Sequence, residues 1–267
     1  MSETPSKEDE LAGTEQPFVQ HLMELRDRLL KAIVAIAIAA AILFFFPGPG
    51  ALYDFLAAPL VAHLPKGATL IATSVISPFM VPLKILLMSA FLLALPFVLW
   101  QVWAFVAPGL YSHEKKLVLP LVISSTLLFF VGVAFCYYFV FGQVFAFIQS
   151  FAPKSITAAP DIEAYLSFVL SMFLAFGLAF EVPIAVVVLA RMGIVSVEKL
   201  KSFRGYFVVA AFVVAAVVTP PDVVSQLALA VPMCILYEIG IWAAQIFIKH
   251  TKAPEEADEA ASSSSSS

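Results

Sequence analysis

Apolar residues in this chain fall in long runs, separated by short polar or turn-forming stretches. A helical bilayer span needs ~20 predominantly apolar residues, within a range of ~17–25. Six segments meet or approach that length: roughly 29–46, 79–105, 117–140, 165–190, 205–219 and 223–248. The breaks carry turn chemistry: PGPG at 47–50, APGLYSHEKK at 107–116, APKSITAAPD at 152–161, RMGIVSVEKLKSFR at 191–204 and TPPD at 219–222. The pattern predicts an all-α, polytopic integral membrane protein with six transmembrane helices. Spans two, four and six each hold an interior proline, in LPFVLWQVW, VPIAVVVLA and VPMCILYEIG. Such prolines free a carbonyl and bend the helix. The fifth span is short: Arg204 to Thr219 is sixteen residues, or ~24 Å at ~1.5 Å per residue. A ~30 Å hydrocarbon core is covered only by thinning the bilayer, by snorkelling or by shelter from neighbouring helices.

Composition agrees. Hydrophobic residues are 61% of the chain and charged residues 13%, against ~45–50% and ~25% in soluble domains. Cys136 and Cys234 each lie inside an apolar run, which reads as two buried thiols rather than a disulfide framework. The first apolar run follows a long segment rich in acids, unlike the short basic lead of a cleavable signal, so it reads as a retained span.

Net charge is −4, but orientation depends on where Lys and Arg sit. Lys7, Arg26, Arg28, Lys31, Lys115, Lys116, Arg191, Lys199, Lys201, Arg204, Lys249 and Lys252 all fall on one side of a six-span chain. Lys66 and Lys154 fall on the other, with Lys84 just inside the second span. The positive-inside rule then puts both termini in the cytoplasm. The membrane domain is expected over 17–248, between a disordered acidic tail at 1–16 and a disordered tail at 249–267.

Glu181, in FGLAFEVPIAVVVLA, lies ten residues before Arg191, roughly 15 Å in from the boundary. A charged acid near the midplane costs ~2.5 kcal/mol or more. Protonation, a partner or a water-filled recess would relieve it; the bland alternative is a neutral acid bonded to a neighbouring helix. Glu238 lies eleven residues before Lys249, again roughly 16 Å in. Equal depth raises the expectation that the two carboxyls line one wet concavity, against the alternative of two unrelated hydrogen bonds.

PFVQHLMELRDRLLK, 17–31, reads as an amphipathic helix entering the first span, with Phe18, Leu22, Leu25 and Leu29 as its stripe. Pro17 suits its first turn. Glu24–Arg28 and Asp27–Lys31 are i,i+4 pairs of the favourable orientation. Most of these charges only solvate a surface helix; Glu24 is set apart as a functional candidate. In WAFVAPGLYSHEKK, Ser112 can cap the third helix with Glu114 in its first turn. Glu114 is equally an exposed acid able to pair with a guanidinium. In TPPDVVSQ, Thr219 can cap, Pro220 suits a first turn, Asp222 stands where a capping-box acid would, and Gln226 follows one turn on. There is no phosphate-binding loop, no His/Cys zinc pattern and no nucleophile–base pair. The four histidines, His21, His63, His113 and His250, lie in tails or loops. No enzyme activity, metal, cofactor or nucleic-acid partner is expected.

Taken in order on six spans, HLMELRDRL, QVWAFVAPGLYSHEKK, FEVP and TPPDVVSQ closely resemble the TatC family, the receptor subunits of twin-arginine protein translocases. The resemblance covers about residues 17–248. It implies a concave, glove-like helical fold in the cytoplasmic (inner) membrane. It also implies binding of twin-arginine signal peptides on folded cargo, recruitment of TatA and TatB, transport driven by the proton-motive force, and several copies of the chain in the receptor complex. By resemblance, Glu24 and Glu114, with Arg26 and Phe105 in the same motifs, form the arginine-recognition patch. Glu181 matches the family's intramembrane glutamate. Thr219, Asp222 and Gln226 lie in the hairpin motif between spans associated with partner contacts. Two other readings stay open: a secondary transporter using Glu181 and Glu238 as a proton relay, and a purely structural membrane scaffold.

Overall fold

The computed structural model describes the backbone of residues 7–63, 71–106, 118–151, 161–219 and 222–264. The helices are α1 (Lys7–Phe45), α2 (Pro49–His63), α3 (Ser77–Val106), α4 (Val118–Phe135), α5 (Phe141–Phe151), α6 (Ile162–Phe180), α7 (Val182–Arg191), α8 (Val197–Ser202), α9 (Arg204–Val218) and α10 (Val223–Ser264). A π-helical turn, Cys136–Val140, joins α4 to α5. Among the described residues there is no strand, only an isolated bridge between Ile71 and Asp161.

Five stretches are long and apolar enough to cross a membrane: Gln20–Phe45, Ser77–Val106, Val118–Phe147, Ile162–Arg191 and Val223–Ile246. The remaining expected span, the fifth, is α9, at 15 residues; its length of ~22 Å keeps it short of the hydrocarbon thickness, as its sequence anticipates. Both ends differ from expectation. Helix begins at Lys7, ahead of Pro17, and α10 runs to Ser264 rather than stopping near Lys249. KEDELAGTEQ and the Ala- and Glu-containing stretch after Lys252 are rich in good helix formers, which carry helix beyond the apolar runs.

Hydrocarbon gives no hydrophobic drive between helices, so they join where small residues let backbones approach. The large cluster gathers Val81, Ile85 and Met88 of α3, Phe141 and Val144 of α5, and Leu166, Val169, Met172 and Phe176 of α6. Ala211 and Ala215 of α9 and Leu229 and Ala230 of α10 close it. Between α4 and α6, a Cβ on Gly132 would stand 2.6 Å from the Phe176 carbonyl oxygen. Between α7 and α10, a Cβ on Gly240 would stand 2.8 Å from Pro183 Cα. α1 lies along α3 through Ala39 against Ala90 and Ala94, flanked by Ala35, Ile36, Ala40, Leu43 and Val98. The bundle's outer surface carries exposed large side chains such as Ile38, Leu127, Val209 and Trp242, as a lipid-facing surface should.

At the end opposite the basic loops, the segment after α2 is tied to the start of α6. Asp161 caps α6 by accepting from the Ala164 amide at 2.9 Å. The same carboxylate accepts from the Thr73 amide at 3.1 Å and the Thr73 hydroxyl at 2.8 Å. Lys84, a cation inside the second span, donates to Glu163 Oε1 at 2.8 Å, and Ser77 donates to Oε2 at 2.6 Å. The Tyr137 hydroxyl donates to the Phe55 carbonyl at 3.0 Å, so the π-helical turn holds α2 in place. The fourth span breaks at Glu181, which separates α6 from α7, with Pro183 in the first turn of α7.

Gly240→Ala should cost roughly 1–3 kcal/mol through overpacking against backbone that cannot yield. Gly142→Ala, with nothing within 4 Å of its Cβ, should be neutral or stabilising; thermal unfolding of the detergent-solubilised variants checks the contrast. Hydrogen bonds from the Ala164 amide and then from Thr73 hold the Asp161 carboxyl below the usual carboxylate range. A depressed folded value means that the cap's contribution is complete above about pH 4 and is lost as pH falls through the lower folded value. Amide exchange at Thr73, corrected for its intrinsic pH dependence, should be protected near neutrality and lose that protection only at pH below the ordinary carboxylate range.

Candidate functional site

Glu24 stands on α1 within the favourable turn spacing the sequence offers. Arg28 donates to Glu24 Oε1 from Nε at 2.9 Å and from Nη2 at 2.6 Å, a side-on guanidinium grip. Glu24 Oε2 lies 4.0 Å from His21 Nδ1. The His21 ring stacks on Phe105, in the last turn of α3, with centroids 4.2 Å apart and planes 18° from parallel. The structure thus brings Glu24 and Phe105 together, and His21, set aside by sequence as a tail residue, is the link. Its signal was its place three residues before Glu24, on the same helix face.

Arg26 is exposed and donates to Asp27 Oδ1 from Nε at 3.1 Å and Nη2 at 2.9 Å. Asp27 is therefore held by its neighbour Arg26; no bond to Lys31, the i,i+4 partner expected from sequence, is found among the described residues. Glu114, with the rest of 107–117, lies outside the described residues.

Glu181 is half-buried at the α6–α7 break. Its carboxyl faces the fully buried Ser125 hydroxyl of α4 as a hydrogen-bond neighbour. Trp103 Nε1 of α3 donates to Ser125 Oγ at 2.9 Å. Donors from two other spans therefore run in series toward the carboxyl, while Glu181 Oε1 is buried without a hydrogen-bond partner among the described residues. Sequence reasoning passed over Trp103 and Ser125; a lone hydroxyl and an indole N–H inside apolar runs were the available signals.

Glu238 takes a different partner. Arg204 Nη2, at the start of α9, donates to Glu238 Oε2 at 2.7 Å. The adjacent Tyr237 hydroxyl donates to the Leu200 carbonyl of α8 at 2.9 Å. This turn of α10 lies beside the start of α7, since Gly240 packs against Pro183, but its Glu238 carboxylate turns to Arg204 of α9. The similar depth expected from sequence is in keeping with the Gly240–Pro183 contact; the partners are what differ. Glu181 leans on α4 and Glu238 on α9, so the contacts do not place the two in one relay.

In the hairpin, Thr219 closes α9, its hydroxyl donating to the Ala215 carbonyl at 2.8 Å. Asp222, not Thr219, caps α10, accepting from the Ser225 amide at 2.7 Å. An acid immediately before the helix serves as the cap directly, which leaves Thr219 to the preceding helix. Gln226 Nε2 donates back to the Phe212 carbonyl at 3.3 Å, tying α10 to α9. Among the described residues, no three His, Cys, Asp or Glu groups could hold a metal.

The family model for "Sec-independent protein translocase protein (TatC)" matches residues 20–232. The chain is 50% identical over 232 residues to the Sec-independent protein translocase protein TatC of Halothiobacillus neapolitanus, covering 87% of this chain and 63% of that protein. Against the protein of the same name from Escherichia coli K12 it is 47% identical over 241 residues, covering 90% and 93%. A crystal structure described as the twin arginine translocase receptor TatC superposes with a TM-score of 0.74 at 39% identity, covering 85% of this chain and 98% of that one. By its match across the spans and by the fold that carries Glu181 and the hairpin, the chain belongs to the TatC family of Sec-independent protein translocase proteins.

Proposed function

We propose that the chain is the twin-arginine signal-peptide receptor and core scaffold of a Tat translocase. In this reading it lies in the cytoplasmic membrane with both termini inside and works in several copies with TatA and TatB. It exports folded proteins, driven by the proton-motive force. The observation that carries the reading is Glu24: its carboxylate, beside Phe105, is already gripped side-on by a guanidinium in cis, so its setting suits that ion. A planar guanidinium offers two parallel donors that an ammonium cannot reproduce. Glu114, in the segment that follows α3 in sequence, supplies the second carboxylate for the second arginine. The crystallised relative is itself described as a twin-arginine translocase receptor, in keeping with this role.

The apolar part of the signal then runs along the membrane-embedded surface near Glu181. There the Trp103–Ser125 series leaves one carboxyl oxygen buried and unpartnered, a site that a donor or water reaches only when the neighbouring helices part. The short α9 locally thins the bilayer and lowers the barrier to polar cargo.

Charge reversal at Glu24 or at Glu114 should abolish photo-crosslinking of a twin-arginine signal near its arginines, and Glu24→Gln should weaken binding by about 10- to 100-fold. Undiminished crosslinking in both reversal mutants removes the recognition role. At Glu181, substitution by Gln keeps an acceptor for the Ser125 hydroxyl, whereas Leu strands it. Export of a twin-arginine reporter should survive Glu181→Gln and fall several-fold with Glu181→Leu; equal export by the two overturns the polar role.

A further inference from the structure

The geometry points to His21 as a specificity-determining residue: stacked on Phe105, its ring forms a flat shelf on which a signal-peptide guanidinium lies while pairing with the open oxygen of Glu24. This rests on the signal-peptide reading and adds a residue and a mode of selection to it.

Three features of the patch converge. Glu24 Oε1 is occupied by Nε and Nη2 of Arg28, so a visiting cation meets Oε2. Oε2 faces His21 Nδ1 at 4.0 Å, too long for a hydrogen bond and near enough that a group docking on Oε2 touches the ring. The ring is held flat against Phe105, yet the His21 side chain keeps 50% of its surface exposed. A carboxylate oxygen and an open aromatic face thus stand side by side at the edge of the α1–α3 pair.

That combination discriminates by shape. A guanidinium is planar and weakly hydrated, so it donates in its plane to Oε2 while its face covers the ring. An ammonium reaches the same oxygen but is compact and strongly hydrated, and gains less from the ring. The shelf spans two helices, with His21 on α1 and Phe105 on α3. Glu24 accounts for attraction to any cation; the shelf accounts for preference among cations.

The test uses the full chain in lipid nanodiscs and two fluorescent signal peptides, one with the arginine pair and one with lysines in its place. The wild type, His21→Leu, His21→Phe and Glu24→Gln are compared by affinity and thermal stability. His21→Leu should reduce the arginine-to-lysine affinity ratio roughly three- to fivefold, and His21→Phe should restore most of it. If His21→Leu weakens both peptides equally, the stack only fastens α1 to α3 and the shelf is overturned. The shelf is equally overturned if His21→Phe discriminates no better than His21→Leu. Glu24→Gln separates the two levels. Loss of binding there with an unchanged ratio in His21→Leu removes the shelf alone, while undiminished binding in Glu24→Gln removes the receptor reading and the shelf with it.

Discussion

A carboxyl group within a membrane span has no bulk water to satisfy it, and the arrangement around Glu181 follows from that constraint. The chain answers with donors in series, the Trp103 indole to the Ser125 hydroxyl and that hydroxyl toward the carboxyl. Because the members come from three spans, the contact ties their rotations together. Pro183 breaks the same helix two residues on, and α7 then offers two faces. Ile184 and Val188 turn to Trp103, Leu121 and Leu128, while Val186 and Ala190 turn to Tyr237, Ile241 and Ala244. Between those two faces, α7 packs against the α3–α4 pair on one side and α10 on the other.

Packing in lipid has a different logic from packing in water. With no apolar area to remove from solvent, helices are joined by close approach and by a few polar bonds. Gly132 and Gly240 mark crossings where a side chain would meet backbone. The first span is joined to the second by an alanine seam. Glu24 and His21 stand further along the same α1–α3 pair, so their geometry depends on the same docking. The His21–Phe105 stack is the aromatic contact that closes the α1–α3 pair beside Glu24.

Several charges near the bundle ends take a partner from another element. Lys84 is met by Glu163, Glu238 by Arg204, and Asp161 by Thr73 and the helix it caps. These contacts hold the ends of the spans in register and fasten the segment after α2 to α6. Among the described residues, Glu24 keeps one oxygen without a hydrogen bond at the surface, while Glu181 Oε1 and Asp222 Oδ2 are buried without a partner.

By itself the sequence determined the helical class, the placing of the spans, the shortness of the fifth, the break beside Pro183 and the family motifs. All of these depend on run length, local turn chemistry or the order of short motifs, which are written along the chain. Only the tertiary structure decided which helix each buried polar group leans on. It turned Glu181 and Glu238 to different partners, moved the cap of the last helix to Asp222, drew Trp103 and Ser125 to Glu181, and joined His21 to Phe105. Helical periodicity gives the face on which a residue stands but not the rotation of that face against its neighbours, and in lipid that rotation is set by the close approach of small residues between helices far apart in sequence.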